Sequence, residues 1–425
     1  MNAHLRDRLL RLGQESLLAH LDAQDEEVRA RVTRQLESLD LDLVADLQQD
    51  RRLAEALHGV MSPAPYVPHD ADDSADKDRG EEELRAGRVG FVLLAGGQAS
   101  RLRWDGPKGT YPIGPKSQRS LFQIHVERAI KAGDRFGPLP PLAVTTSEGT
   151  DTAIRAFFAA QDHFGFDPSC LDFACQESLP ALDEQGRFLL ASKDRVFTNP
   201  DGHGGAIRAL ETEGILARWQ ESGITTVCTH QVDNPLLPAA DPTFVGRLVG
   251  GGAPLATKVV LKTEPGERVG VVALVGGKPA IVEYSEITDE QAQRRDADGR
   301  LTFRLGSIAA HAFDLEFLRD GLARDLLLHC ARKEIPCIDG RKPGRKYERF
   351  LFDLFPAAPS ITVVEVQRER EYAPLKNFEG QDSADTVRDA MRREYARWYR
   401  EAGKDTPDGT LEISPLVAEG PGDLR

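Results

Sequence analysis

The chain has 425 residues, long enough to bury a large core, and its formal net charge of −14 argues against nucleic acid as a generic partner. No segment approaches the ~18 consecutive apolar residues that a membrane-crossing helix needs. Five cysteines without paired short spacings fit a reducing cytoplasm, and the N-terminus, charged from Arg6 onward, lacks the apolar core of a signal peptide.

Over residues 2–60, Leu5, Leu9, Leu10 and Leu12, then Val28, Val32, Leu36 and Leu39, recur at three- and four-residue spacing. That period predicts an amphipathic helical cap packed on the main domain, in preference to a separate partner-binding module. Residues 62–83 hold Pro63, Pro65 and Pro68 and then a run of Asp and Glu, which reads as a linker or exposed loop. Residues 1–83 thus form an N-terminal region. From Val89 apolar strands alternate with helical stretches, the strands falling at 89–95, 141–146, 224–232, 255–262, 269–275, 279–284 and 361–367. Helices are predicted near 120–132, 151–163, 205–221, 242–249 and 314–334, the fourth opened by Asp241 as N-cap and Pro242 at its first position. Val269 to Glu286 reads as an antiparallel hairpin turning at Gly276-Gly277. The whole predicts an α/β catalytic domain over 84–377, its sheet mixed but mostly parallel and covered by helices on both faces. After it, 378–425 holds one charged helix (383–402) and a frayed Gly/Pro-rich tail.

The stretch 91–123 carries the most chemistry. An apolar strand, Phe91 to Leu94, runs into Gly96-Gly97, where absent side chains let backbone amides approach a ligand. Gln98, Ser100, Arg101 and Lys108 follow, and Ser120 with Gln123 form a capping box at the start of a helix. Strand, glycine turn, cations and helix describe a nucleotide phosphate site, although neither a Walker A loop nor a Gly-x-Gly-x-x-Gly is present. Gly202-His203-Gly204-Gly205 offers a second turn that faces an anion or sugar, or merely opens a helix. Asp233 and Asn234, after the strand ending at Val232, are placed to hold Mg²⁺ or a ribose hydroxyl, with a plain turn cap the equal alternative. In Glu283-Tyr284-Ser285-Glu286, strand alternation puts Glu283 and Ser285 on one face. A strand-like piece opens at Gly306-Ser307, and Pro374-Leu375-Lys376-Asn377 follows the last strand. No Gly-x-Ser-x-Gly elbow and no Cys with a recognisable His partner is present. The inventory is positioning plus charge neutralisation, which suits nucleotidyl or phosphoryl transfer.

From Gly90 to Asn377 these motifs, in this order, resemble the UDP-sugar pyrophosphorylases, and most closely the UDP-N-acetylglucosamine pyrophosphorylases. The resemblance implies a GT-A-like, Rossmann-like nucleotidyltransferase core. It also implies a Mg²⁺-assisted reaction of UTP with N-acetylglucosamine 1-phosphate, yielding UDP-N-acetylglucosamine and pyrophosphate. Carried over by position, Gly96 and Gly97 meet the uridine end, Arg101 and Lys108 the triphosphate, and Gln176 the uracil. Gly202 meets uridine and sugar, Asp233 the metal and phosphates, and Lys376 the sugar-linked phosphate. His203, Gly270, Glu283 and Ser307 fall in the sugar half of the site.

Departures from the family pattern cluster in two places. Ala99 and Ser100 replace a Gly-Thr, so Ala99 demands a backbone conformation an L-residue tolerates, and Arg103 stands where glycine is common. His203 and Ser307 each replace an asparagine, the histidine being more like the broad-range relatives. Glucose or galactose 1-phosphate, several sugars, and an inactive nucleotide-sugar-binding regulator therefore stand as alternatives. The oligomeric state is left open.

Overall fold

The computed structural model describes residues 1–54, 59–324 and 326–425. By contacts they group into two units.

The larger unit comprises Leu57–Cys175, Ala209–Arg324 and Leu354–Arg425. Its sheet is organised around Val89–Leu94, whose six residues are all buried, as a strand covered on both faces requires. This strand pairs in parallel with Thr226–Gln231 on one side and Leu142–Ser147 on the other. Beyond Thr226–Gln231 the sheet turns antiparallel through Leu305–Asp314, which also pairs with Leu255–Leu261 and meets Val271–Val275. Thr362–Glu365 closes on Leu255–Leu261 in parallel. The Val271–Val275 and Lys278–Val282 strands form the expected hairpin, with positive φ at both Gly276 and Gly277.

Several expectations are corrected here. Residues 62–83 are not a linker, because Met61–Pro63 adds a strand to the sheet and Ser74–Arg85 is a helix. That helix crosses Pro242–Gly251 so closely that a Cβ on Gly80 would lie 1.8 Å from the Pro242 carbonyl oxygen. Glycine at the crossing brings the two backbones together, which the charged pattern around it conceals. The helix expected over 314–334 ends at Leu322. The run 283–286 is a turn closed by Glu286 N–H on the Glu283 carbonyl (2.9 Å), so strand alternation does not apply to it. The C-terminal tail is anchored: Leu411, Ile413 and Ala418 are buried, and the Glu412 carboxylate accepts from the Lys116 and Ser117 amides.

The smaller unit comprises Met1–Ala56, Gln176–Arg208 and Asp325–Asp353. Four helices, Ala3–Arg11, Glu15–Asp22, Glu26–Ser38 and Leu41–Gln48, form the expected helical region, and positions 55–58 of that expectation lie outside the described residues. Leu9, Leu36 and Leu47 pack against Leu182, Phe188, Val196 and Tyr347. Two long antiparallel strands, Leu328–Cys337 and Gly340–Arg349, pair here, and the first begins inside the 314–334 stretch expected to be helical. Arg332, Lys333 and Glu334 occupy both faces there and erase the period of two.

Candidate functional site

Two neighbouring parallel strands set the geometry in the larger unit. Gln231 stands opposite Leu94, and the Val232 N–H donates to the Leu94 carbonyl (3.1 Å). The carboxyl ends of these strands therefore deliver Gly96-Gly97 and Asp233 to adjoining positions, on the edge where open α/β sheets bind ligands. Ser147 Oγ donates to the Gly96 carbonyl (2.8 Å), tying the glycine turn to the end of the next strand. No heavy atom lies within 4 Å of where a Gly97 Cβ would stand. The chain then doubles back: Gln98 bridges to Pro107, and the Lys108 N–H donates to the Gly97 carbonyl (3.1 Å). This return carries the Lys108 ammonium to 3.0 Å from Asp233 Oδ2. Arg101 is exposed on the Ser100–Leu102 turn. Ala99, at φ −92° and ψ 30°, takes the place of a glycine without strain, whereas Arg103 is left-handed at φ 53°.

The segment after Thr362–Glu365 comes back to the same point. Leu375 N–H donates to the Asp233 carbonyl (2.8 Å), which brings Lys376 beside the aspartate. Lys376 Nζ lies 3.4 Å from the Tyr372 hydroxyl. Burial works against its charge, but Tyr372, Asp233 and Asp382 outweigh that cost and hold the ammonium above its usual pKa. The Asn234 side chain is turned to the protein: its amide nitrogen and oxygen are both engaged by the backbone of 371–373. Three of the residues expected in the sugar half, Gly270, Glu283 and Ser307, lie near one another in the larger unit. Ser307 N–H donates to the Gly270 carbonyl (2.8 Å), and a Cβ on Gly270 would lie 3.5 Å from Glu283 Oε1.

Gln176, Gly202 and His203 belong to the smaller unit. Gln176 Nε2 donates to Asp201 Oδ1 and to the Gly202 carbonyl, both at 3.3 Å. Asp201 in turn pairs with Arg349 (2.9 Å), and both are almost fully buried. Burial pushes the Asp201 carboxyl up to about 6, against the pull of Arg349. Gly202 has φ +88°, and a Cβ there would meet the Arg349 carbonyl oxygen at 2.4 Å, so this glycine is demanded by backbone packing. His203 Nδ1 accepts the Leu351 N–H (2.9 Å), which places the proton of the neutral ring on Nε2. Burial, helped by His329, lowers its pKa to about 4 and keeps it a neutral donor. Its ring stacks on Phe350 and tilts against Phe352. Sequence reasoning missed Asp201, Arg349, Phe350 and Phe352. Asp201 and Arg349 are 148 residues apart, and nothing in the local pattern of either announces the other.

Backbone amides, cations and a carboxylate gathered at the ends of adjacent parallel strands define an α/β nucleotide-binding protein. Residues 56–382 match the UTP–glucose-1-phosphate uridylyltransferase family, and the chain belongs to that family. It is 36% identical to UDP-N-acetylglucosamine diphosphorylase 1 of Arabidopsis thaliana over 449 residues, covering 98% of this chain and 87% of that protein. To the UDP-N-acetylglucosamine pyrophosphorylase of Saccharomyces cerevisiae it is 36% identical, covering 80% and 76% of the two chains. The crystal structure of uridine diphosphate N-acetylglucosamine pyrophosphorylase from Trypanosoma brucei superposes with a TM-score of 0.86 at 28% identity, covering 99% and 93%.

Proposed function

We propose that this protein is a uridylyltransferase that converts UTP and N-acetylglucosamine 1-phosphate to UDP-N-acetylglucosamine and pyrophosphate. The observation that carries the reading is the meeting of Lys108, Asp233 and the Lys376 segment beside an open glycine turn, in a chain similar to such enzymes over nearly its full length. An oxygen of the sugar phosphate attacks the α-phosphorus of UTP in line. The new P–O bond forms as the bond to the bridging α–β oxygen breaks, and pyrophosphate departs. A phosphate monoester is already largely dianionic at neutral pH, its second pKa being about 6, so no protein base is needed. Arg101 and Lys108 offset the triphosphate charge, with Gly96 and Gly97 against the uridine end. Lys376 holds the attacking phosphate. Gln176 and Gly202 serve uridine, and His203, Gly270, Glu283 and Ser307 serve the sugar.

Asp233 is the residue that would hold Mg²⁺. A single carboxylate suits an ion that takes most of its ligands from phosphates and water, and among the described residues no group of three or more His, Cys, Asp or Glu could form a protein cage. When bound, the ion neutralises phosphate charge on the nucleotide. A cytoplasmic setting is supported by five free cysteines. Among the described residues no helix is long and apolar enough to cross a membrane.

The test is pyrophosphate release from UTP and Mg²⁺ with N-acetylglucosamine, N-acetylgalactosamine, glucose and galactose 1-phosphates. Preference for the first is expected. Preference for an unacetylated hexose would assign His203 and Ser307 to a broader sugar range. Silence with all four, in protein that still binds UTP, would overturn the enzymatic reading in favour of a nucleotide-sugar-binding regulator.

A further inference from the structure

The two groups closest to the proposed chemistry, Asp233 and Lys376, sit on segments far apart in the chain, and one side chain joins those segments. Asn234 is 3% exposed. Its Nδ2 donates to the Glu371 carbonyl (2.6 Å), and its Oδ1 accepts the Ala373 N–H (3.1 Å). The next contact along is the Leu375 N–H on the Asp233 carbonyl (2.8 Å). The amide of Asn234 thus pairs with the 371–373 backbone as a neighbouring strand residue would, supplying one donor and one acceptor. No aliphatic residue can do this, and aspartate would set a carboxylate oxygen against the Glu371 carbonyl.

The far side of the pinned segment is fixed as well. The Glu371 carboxylate accepts from Lys258 Nζ (2.5 Å), and Lys258 is fully buried and also pairs with Asp241 (2.6 Å). Asp241 caps the Pro242–Gly251 helix. Beyond Leu375 the chain closes a seven-residue loop, Lys376 N–H donating to the Asp382 carbonyl (2.7 Å). Lys258 thus holds the side chain of residue 371 while Asn234 holds its carbonyl, and the Asn234 amide and the Leu375 N–H together set how 371–375 lies along Asp233-Asn234.

We infer that Asn234 is a positioning residue that fixes the register of Lys376 against Asp233, and so the distance between the attacking phosphate and the α-phosphorus. This rests on the roles proposed above for those two residues. A misplacement of about 1 Å in a near-attack geometry is worth roughly 100-fold in rate. Asn234→Leu, close in shape, loses both amide contacts. Asn234→Asp keeps the acceptor for Ala373 and loses only the donor to Glu371.

The experiment is a double-mutant cycle on the full chain: wild type, Asn234→Leu, Lys376→Ala and the double variant. It reads kcat, the KM for UTP and UTP binding by tryptophan fluorescence. A roughly 100-fold fall in kcat is expected for Asn234→Leu and a smaller one for Asn234→Asp. UTP affinity should stay within about threefold, because the glycine turn, Arg101 and Lys108 are untouched. The second prediction is the decisive one: in the Lys376→Ala background, Asn234→Leu should cost less than about threefold more. Losses that multiply instead would show that Asn234 does not act through Lys376, and would overturn the inference while leaving the uridylyltransferase reading intact. Failure of both Asn234 variants to fold would assign the residue to stability alone and overturn it too. Wild-type protein inactive with all four sugar phosphates would sink both readings, and that result precedes any variant.

Discussion

The guanidinium of Arg103 lies 4.4 Å from the centroid of the Phe378 ring, so the loop that follows the glycine turn is tied to the loop that carries Lys376. Arg103 pays for this position in backbone strain, because its φ of 53° and ψ of 33° are left-handed. For an L-residue that conformation costs about 1–2 kcal/mol, and an exposed cation–π contact returns about 0.5–1 kcal/mol. Arg103→Gly trades one term for the other and is expected to change stability by less than about 1 kcal/mol. Arg103→Ala keeps the strain and loses the contact, so it is expected to be the least stable of the three. Urea unfolding of all three proteins checks the order, and an alanine variant more stable than the glycine one would refute the strain account.

Lys108 and Asp233 form a largely buried pair that the proposed reaction must open onto phosphate oxygens. Lys108→Ala is expected to lower kcat by about 10²–10³, the loss typical of one preorganised group facing transition-state charge. Its circular dichroism spectrum should match wild type. Turnover within threefold of wild type would remove Lys108 from the machinery.

Lys258 is the reverse case, a charge with no access to substrate. Burial opposes its ionisation, yet Asp241 and Glu371 hold it protonated. Lys258→Met keeps the length of the side chain and strands two half-buried carboxylates, which is expected to destabilise the protein by about 2–3 kcal/mol, below the full cost of breaking a wholly buried pair. The denaturation midpoint in urea measures it, and a loss under about 1 kcal/mol would mean that water reaches the carboxylates.

The buried histidines give the larger unit an acid-labile element. His125 Nε2 donates to the Val232 carbonyl (3.0 Å), and its Nδ1 faces His230 Nε2 at 3.3 Å. Burial lowers the His125 pKa to about 3, with Arg128 adding to the effect, and lowers that of His230 well below 6.5. Between pH 6.5 and 3 the unfolded chain binds protons at these rings that the folded chain refuses. Stability is therefore full above pH 6.5 and falls as the pH drops, by up to about 1.4 kcal/mol per pH unit for each ring. His125→Gln retains a donor for Val232 without the titration, so its stability should fall less steeply than wild type over pH 6 to 4.5. Equal slopes would refute the assignment.

What the sequence disclosed and what it hid divide along a physical line. Val89–Leu94 and Thr226–Gln231 are legible because strands buried on both faces must be continuously apolar, and the turns at their ends carry Gly97 and Asp233 in plain view. The same reasoning could not find Lys258, Arg349 or Glu412. Each is a charge whose meaning comes from a partner remote in the chain: Glu371, Asp201 and the 116–117 backbone. Asn234 is visible as a polar residue at a strand end, which reads equally as a ligand or a turn cap, whereas its amide pairs with the backbone of 371 and 373. The tail was hidden differently. Leu411 and Ile413 are too few and too close to Gly and Pro to show a period, yet they are buried, and Glu412 between them caps a loop.

Sugar choice is the property least determined by the core, and Ser307 offers the cleanest handle on it. Ser307 lies where the strand Leu305–Asp314 bulges: its N–H donates to the Gly270 carbonyl, and its Oγ accepts the Ala309 N–H (3.2 Å), with Ala309 held at φ +55°. The side chain is therefore occupied in shaping the bulge. An asparagine can make the same local bond through Oδ1 and still present its Nδ2 as a second donor, as Asx residues do in turns. Ser307→Asn should leave the fold and the KM for UTP unchanged. It should raise the ratio of kcat/KM for N-acetylglucosamine 1-phosphate over glucose 1-phosphate by about tenfold, the range open to one added hydrogen bond of ~1.4 kcal/mol. Paired kinetics on the two sugar phosphates decide it. A ratio that does not move would mean that the Oγ bond to Ala309, and not contact with the sugar, is what this position requires.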